Sequence, residues 1–259
     1  MIDSHVNLHH EAFADDLDAV LARAAEAGVH AMLSISDRIE NTAAIAAITD
    51  HRPNLWRSTG AHPHYAKDHL DLTAGKLVEL AAPAKVIGIG ETGLDFHYGW
   101  SPEADQEQVF RAHIEAARAT GLPLIVHTRE ADRLTGDILE EETARGAFPI
   151  LLHCYTSGLD LLRRGLDLGA YVSFSGIAAF KNATEVRAAV ALVPPERTLL
   201  ETDCPYLTPP PHRGRRNEPA YLPLVAGAVG AVHGLSAEAM AETADRAFHA
   251  LFQRAGATA

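Results

Sequence analysis

The sequence predicts a (β/α)8 TIM barrel, and three observations carry that prediction. Eight short apolar, strand-like runs alternate with amphipathic helical stretches along the chain. Five of the runs close on a His, Glu or Asp at the same end, followed each time by turn or helix-start residues. The length of 259 residues suits one such barrel, which runs to about 250 residues. A doubly wound sheet is the rival; the count of eight alternating units, with every candidate ligand at the C-terminal strand ends where barrels carry their chemistry, favours the barrel. The expected organisation is one domain over residues 1–259.

The first strand covers residues 1–5 and ends in His5, followed by Val6 and Asn7. A helix over 14–27 places Leu17, Val20, Leu21 and Ala24 on one face, with Gly28 at the expected left-handed cap. The second strand, 30–34, leads to a helix over 38–49. The third, 55–59, ends in the turn-rich Gly60-Ala61-His62-Pro63-His64, and a helix over 73–82 follows.

The fourth strand starts at Val86 and reaches Glu91 inside Gly90-Glu91-Thr92-Gly93-Leu94-Asp95. Strict alternation places Ile87, Ile89 and Glu91 on one side and Gly88 and Gly90 on the other. A carboxylate at the tip of a buried apolar row is costly unless something pairs with it, and a metal ion is the strongest such partner. Ser101-Pro102-Glu103 reads as cap, first-turn proline and first-turn acid of a helix to Thr120, before Gly121. The alternation continues with strands ending in His127 and His153, a strand over 171–174, and a last one running through Glu201 to Asp203. The intervening helices cover 132–143, 159–168 and 184–192.

Residues 205–219 break the pattern. They are rich in proline and arginine and read as a stiff loop, followed by closing helices over 221–232 and 237–254. The loop after the last barrel strand is a common phosphate-binding position, so Arg213, Arg215 and Arg216 are candidates for that role. A solvated basic loop is the plainer alternative.

Composition narrows the class. With 47% hydrophobic and 22% charged residues the chain has enough apolar material for a large core. It has no long apolar run for a membrane helix and no basic-then-apolar leader, so a cytoplasmic, non-membrane protein is expected. Cys154 and Cys204, the only two cysteines, fit a reducing compartment. A formal net charge of −12 argues against a general polyanion binder. Imidazole and carboxylate groups gathered at one end of a barrel are what a divalent-metal hydrolase needs.

The motifs together resemble the TatD-type deoxyribonuclease family of metal-dependent hydrolases. The matching pieces are Asp3-Ser4-His5, Gly60-Ala61-His62-Pro63, Gly90 to Asp95, His127-Thr128-Arg129, His153-Cys154, Glu201 to Pro205 and Arg213 to Pro219. They extend from the first strand to the loop after the eighth. The resemblance implies a (β/α)8 barrel with divalent metal that hydrolyses nucleic-acid phosphodiesters, notably as a 3′ to 5′ exonuclease. It implies metal ligation by His5, Glu91, His127, His153 and Asp203. Where much of the family has His-x-His in the first strand, this chain has His5-Val6-Asn7, similar to the branch containing TatD itself. A carboxamide is a weaker ligand than imidazole, so one of two metal positions is expected to be weakened.

On this reading Asp203 orients and deprotonates the attacking water, and Glu91 bridges or holds the metal. Arg129 and the arginine loop clamp substrate phosphates. His62 and His64 contact the phosphate, protonate the leaving 3′ oxygen, or serve only as loop residues. The oxygen-leaning site favours Mg2+ or Mn2+, with Zn2+ as a further option. DNA, with RNA as an alternative, is the expected partner, and a monomer is slightly favoured. The rival functions are hydrolysis of a small amide or ester on the same barrel, and metal or nucleic-acid binding without turnover.

Overall fold

Eight parallel strands in sequential order, β1 to β8, line the centre of the computed structural model, which describes residues 1–256. They are β1 Ile2–Val6, β2 Ala31–Ser34, β3 Leu55–Thr59, β4 Val86–Asp95, β5 Leu124–Arg129, β6 Ile150–Leu152, β7 Tyr171–Phe174 and β8 Thr198–Leu200. Each pairs in parallel with the next. The ring closes through a Val6–Cys204 bridge, with Asn7 N–H donating to the Cys204 carbonyl and Asp203 N–H to that of His5, both at 3.0 Å.

The helices are α1 Leu17–Glu26, α2 Thr42–Thr49, α3 Ala74–Leu80, α4 Glu103–Thr120, α5 Asp132–Arg145, α6 Leu159–Asp167 and α7 Thr184–Leu192, one after each of the first seven strands. Beyond β8 come α8 Leu222–His233, α9 Ala237–Leu251 and α10 Gln253–Gly256. Among the described residues no single helix is long and apolar enough to cross a membrane.

The apolar material separates into two cores. One lies between the strands and the surrounding helices. The other fills the barrel, where Leu33, Trp56, Ile87, Ile125, Leu151 and Leu199 meet Phe248 and Phe252. The C-terminal helices therefore plug the end of the barrel opposite the strand-end carboxylates. Burying each phenyl ring completely contributes about 1.5–3 kcal/mol. The predicted single helix over 237–254 is broken at Phe252, whose side chain enters this plug.

Three expectations change on contact with the structure. First, Ile87 and Ile89 do not share a side: Ile87 belongs to the inner core and Ile89 to the outer one. Register shifts against β3 between Val86 and Gly88, and against β5 between Ile89 and Thr92, break the alternation. Second, Ser101 does not cap α4. Its hydroxyl donates to the His64 carbonyl at 2.8 Å and accepts from Lys67 N–H, binding two loops together. Third, α1 begins at Leu17, after a short 3-10 turn at Glu11–Phe13. Asp16, at the cap position, makes no capping bond because Arg216 and Arg23 occupy its carboxylate.

A buried histidine on α4 links the fold to pH. The His113 Nε2 atom accepts from Ala61 N–H at 3.0 Å, and Nδ1 lies 2.7 Å from the Val109 carbonyl. Burial lowers its pKa to about 4 from the ordinary 6.5. The neutral ring is the form that folds, so its contribution is complete above pH 6.5 and is lost as pH falls from 6.5 towards 4. That shift amounts to about 3 kcal/mol. His113→Gln keeps an acceptor for Ala61, and its stability should fall less between pH 6.5 and 4 than that of the parent. Parallel denaturation curves over that range would assign the acid sensitivity elsewhere.

Candidate active site

Glu91 is delivered to the mouth of the barrel by backbone that only glycine allows. Gly90 has φ +127°, and a Cβ there would lie 2.6 Å from the Ile125 carbonyl oxygen; one on Gly93, at φ +136°, would collide with that of His127. The carboxylate sits among imidazoles. Its nearest ring nitrogens are His153 Nε2 at 2.7 Å, His127 Nδ1 at 3.1 Å, His5 Nε2 at 3.3 Å and His62 Nε2 at 3.4 Å. The His5 and His153 rings stack 4.1 Å apart.

The strand ends bring the other groups. Asp203, with φ +54°, leaves β8 in a left-handed conformation and lies 3.6 Å from His5 Nε2. Cys154, at φ +45°, does the same after β6, beside His153. Such residues persist where surrounding structure holds them, often at functional sites. The Asn7 amide donates to Cys204 carbonyl at 3.2 Å and lies 3.4 Å from Asp203. On the buried side Asp3 accepts from Thr202 N–H and hydroxyl at 2.9 and 2.6 Å, fastening β1 to the end of β8.

The donor set fits a metal ion. His5, Glu91 and His153 offer ligand atoms within 4.8 Å of one another, and so do His62, Glu91 and His127. Both nitrogens of His5 and of His153 are buried without a hydrogen-bond partner, although carboxylate oxygens lie as near as 2.7 Å. His5 Nε2 and His153 Nε2 thus stand close to the Glu91 carboxylate without a hydrogen bond to it, a set of donor atoms that a cation could take. Buried polar groups are otherwise rarely left unsatisfied.

Electrostatics point the same way. Burial alone would raise Glu91, but His153, His62 and His5, with a bond to His127, outweigh it and hold its carboxyl well below the ordinary range. Burial opposes charge on His153 as well, yet Glu91 and Glu201 hold its pKa well above normal. His127 is raised by Asp95 and Glu91 against burial. His62 goes the other way, to about 4, because burial dominates and Glu91 only partly compensates. Burial lifts Asp203 to about 6 despite His5 and His153. A divalent cation entering this cluster would replace protons on the histidines.

All five strand-end residues named from the sequence therefore meet at the barrel mouth. His62, expected to contact the phosphate, protonate the leaving oxygen or serve as a loop residue, instead joins Glu91 and His127 in a candidate ligand group. His64 stands one step out, 2.9 Å from Asp95, whose same oxygen is 3.0 Å from His127 Nε2. In the sequence Asp95 carries no assigned role, and Glu201 reads as a reserve base and not as a support. Glu201 accepts from the Ser173 hydroxyl at 2.5 Å and lies 3.4 Å from His153 Nδ1. Carboxylates behind ligand histidines fix the ring orientation. Their signal was spacing: Asp95 four residues beyond Glu91, and Glu201 two before Asp203.

The arginines divide. Arg129 lines the cavity over this centre, which has a volume of about 620 Å3. None of Arg213, Arg215 and Arg216 lines it. The assignment of Arg216 to substrate is corrected: its guanidinium pairs with Asp16 through two bonds of 2.7 Å and donates to the Ala12 carbonyl. It fastens the loop to α1. Arg213 rests on the Phe180 ring, 4.0 Å from its centre.

A parallel eight-stranded barrel with clustered His and Glu side chains at its mouth is the architecture of a metal-dependent hydrolase. Residues 2–253 match the family model described as TatD related DNase, and the chain belongs to that family. It is 38% identical, over 255 residues, to the uncharacterized metal-dependent hydrolase YcfH of Escherichia coli strain K12, covering 97% of this chain and 95% of that one. It is 34% identical to the 3'-5' ssDNA/RNA exonuclease TatD of Escherichia fergusonii, covering 97% of this chain and 98% of the other. The crystal structure of YJJV, a TatD homolog from Escherichia coli K12, matches with a TM-score of 0.90 at 25% identity, over 98% of each chain.

Proposed function

We propose that this hydrolase cleaves phosphodiesters one nucleotide at a time from the 3′ ends of single-stranded or frayed DNA. The observation that carries the reading is the make-up of the cavity. A His and Glu centre lies in a recess ringed by Arg129, Tyr98, Trp100 and Tyr206, on a chain of net charge −12. Such a site grips a strand end locally and does not coat a duplex. The exonuclease relatives, similar over nearly their whole length, lend support, and their RNA activity makes RNA the second substrate to test.

In this proposal His5, His153, Glu91 and Asp203 would hold one divalent ion, and His62 and His127, grouped with Glu91, would offer ligands for a second. A bound ion supplies acidity to a water molecule and offsets charge on phosphoryl oxygens. The assembled donors are richer in imidazole than the sequence suggested, which moves the preference from Mg2+ towards Mn2+ and Zn2+. Asp203 takes the proton from the attacking water. Its side chain is 18% exposed, whereas Glu91 is 8% exposed and Asp95 and Glu201 are fully closed. Arg129 and His64, both on the cavity wall, contact the phosphate. Arg213 and Arg215 are left as outer contacts.

The test is incubation of 5′-labelled single-stranded DNA and RNA with chelator-treated protein, before and after Mn2+, Zn2+ or Mg2+ is restored. The expected result is a ladder shortened from the 3′ end, strongest with Mn2+ and absent in chelator. Full cleavage by stripped protein in chelator, or none with any ion, would overturn the proposal.

A further inference from the structure

Six large hydrophobic side chains are exposed among the described residues, and three of them, Tyr98, Trp100 and Tyr206, line the catalytic cavity. Two form a unit. The rings of Tyr98 and Trp100 stack 4.8 Å apart at 29°, and each is about half exposed, at 45% and 51%. Exposed aromatic rings clustered at one opening mark a binding surface.

The loop that carries them is firmly built. Gln106, itself buried, accepts from Asp95 N–H at 2.7 Å and donates to the carbonyls of Asp95 and Ser101, both at 2.9 Å. Asp95 accepts the N–H groups of His97 and Tyr98 on one oxygen, at 3.0 and 3.3 Å. Its other oxygen faces His127 and His64. One carboxylate thus ties the aromatic loop to the catalytic histidines. Trp100 meets the His64 ring at 4.4 Å, and Arg129 donates to the Tyr98 hydroxyl at 3.2 Å.

The geometry points to Tyr98 and Trp100 as a stacking platform for the unpaired bases next to the bond that is cut, a role that rests on the phosphodiesterase reading. A base can lie on these rings only if its own face is free. Bases inside a duplex have both faces covered by their neighbours, so the platform admits single strands and frayed ends and selects against paired ones. Arg129, whose guanidinium lies over the Tyr98 ring 4.9 Å from its centre, is placed for the phosphate of a nucleotide stacked on Trp100. Stacking is sequence-tolerant, because every base has a π-face.

Trp56 is buried and Trp100 exposed, so acrylamide quenching of tryptophan fluorescence reads Trp100. A phosphorothioate oligodeoxythymidylate added to the Mn2+-loaded protein should shield it. Trp100→Ala and Tyr98→Ala should each raise KM for single-stranded DNA by roughly 5- to 150-fold, the range of one base–aromatic stack, with a smaller change in kcat. The parent should lose a similar factor on an oligonucleotide whose 3′-terminal residues are abasic, and the double variant should treat both substrates alike. Cleavage by the parent with unchanged quenching and unchanged KM in the variants would overturn the platform alone. Failure of the parent to cleave any oligonucleotide would overturn the platform and the phosphodiesterase reading together.

Discussion

Glu91→Gln should leave a folded barrel with about a thousandfold less turnover, since a metal contributes several kcal/mol of charge stabilisation and each 1.36 kcal/mol is tenfold. The amide keeps the shape of the side chain but brings no charge to four imidazoles, at 2.7, 3.1, 3.3 and 3.4 Å. Both candidate ligand groups use this one residue, so the loss reaches both positions. Elemental analysis of the desalted variant should show a fall in bound metal alongside the fall in kcat. Near-normal turnover with metal retained would remove Glu91 from the centre of the scheme.

Asp203→Asn should act differently. The amide still accepts a hydrogen bond but takes no proton from water, so kcat should drop at least about a hundredfold, the usual contribution of a positioned base. Metal content and KM should change far less than in Glu91→Gln. The double variant should be little worse than the weaker single, because groups that serve one step are not additive. A nearly normal kcat in Asp203→Asn would pass the base to Glu91. Glu201 is closed off between Ser173 and His153.

The contrast between these carboxylates shows what the sequence allowed. Glu91 and Asp203 were legible because an apolar run that ends in an acid has a single geometric meaning in a barrel. The helices over 184–192 and up to Thr120 were legible too, since spacing and a left-handed Gly121 are local properties. The inside and outside of β4 were not. Register belongs to a pair of strands, and two shifts against its neighbours move Ile89 to the outer core. Arg216 looked like free positive charge because its partner, Asp16, lies 200 positions away. Ser101 looked like a cap because the His64 carbonyl that takes its hydroxyl comes from another loop. The supports behind the histidines, Asp95 and Glu201, gain meaning only once the strands from β4 to β8 stand side by side.

The seam between the first and last strands carries a further consequence. Asp3 holds Thr202 across 199 positions, and the neighbouring bonds bring His5 and Asp203 to the same point. An unfinished copy, from a stalled ribosome or a premature stop ahead of the eighth strand, has Glu91 and every imidazole of the cluster. It has neither a closed ring nor Asp203, the proposed base. Pairing so distant in sequence also forms late and slowly. On the proposed role of Asp203, a chain truncated ahead of the eighth strand should therefore bind metal poorly and show no cleavage in the oligonucleotide assay, whereas the full chain does.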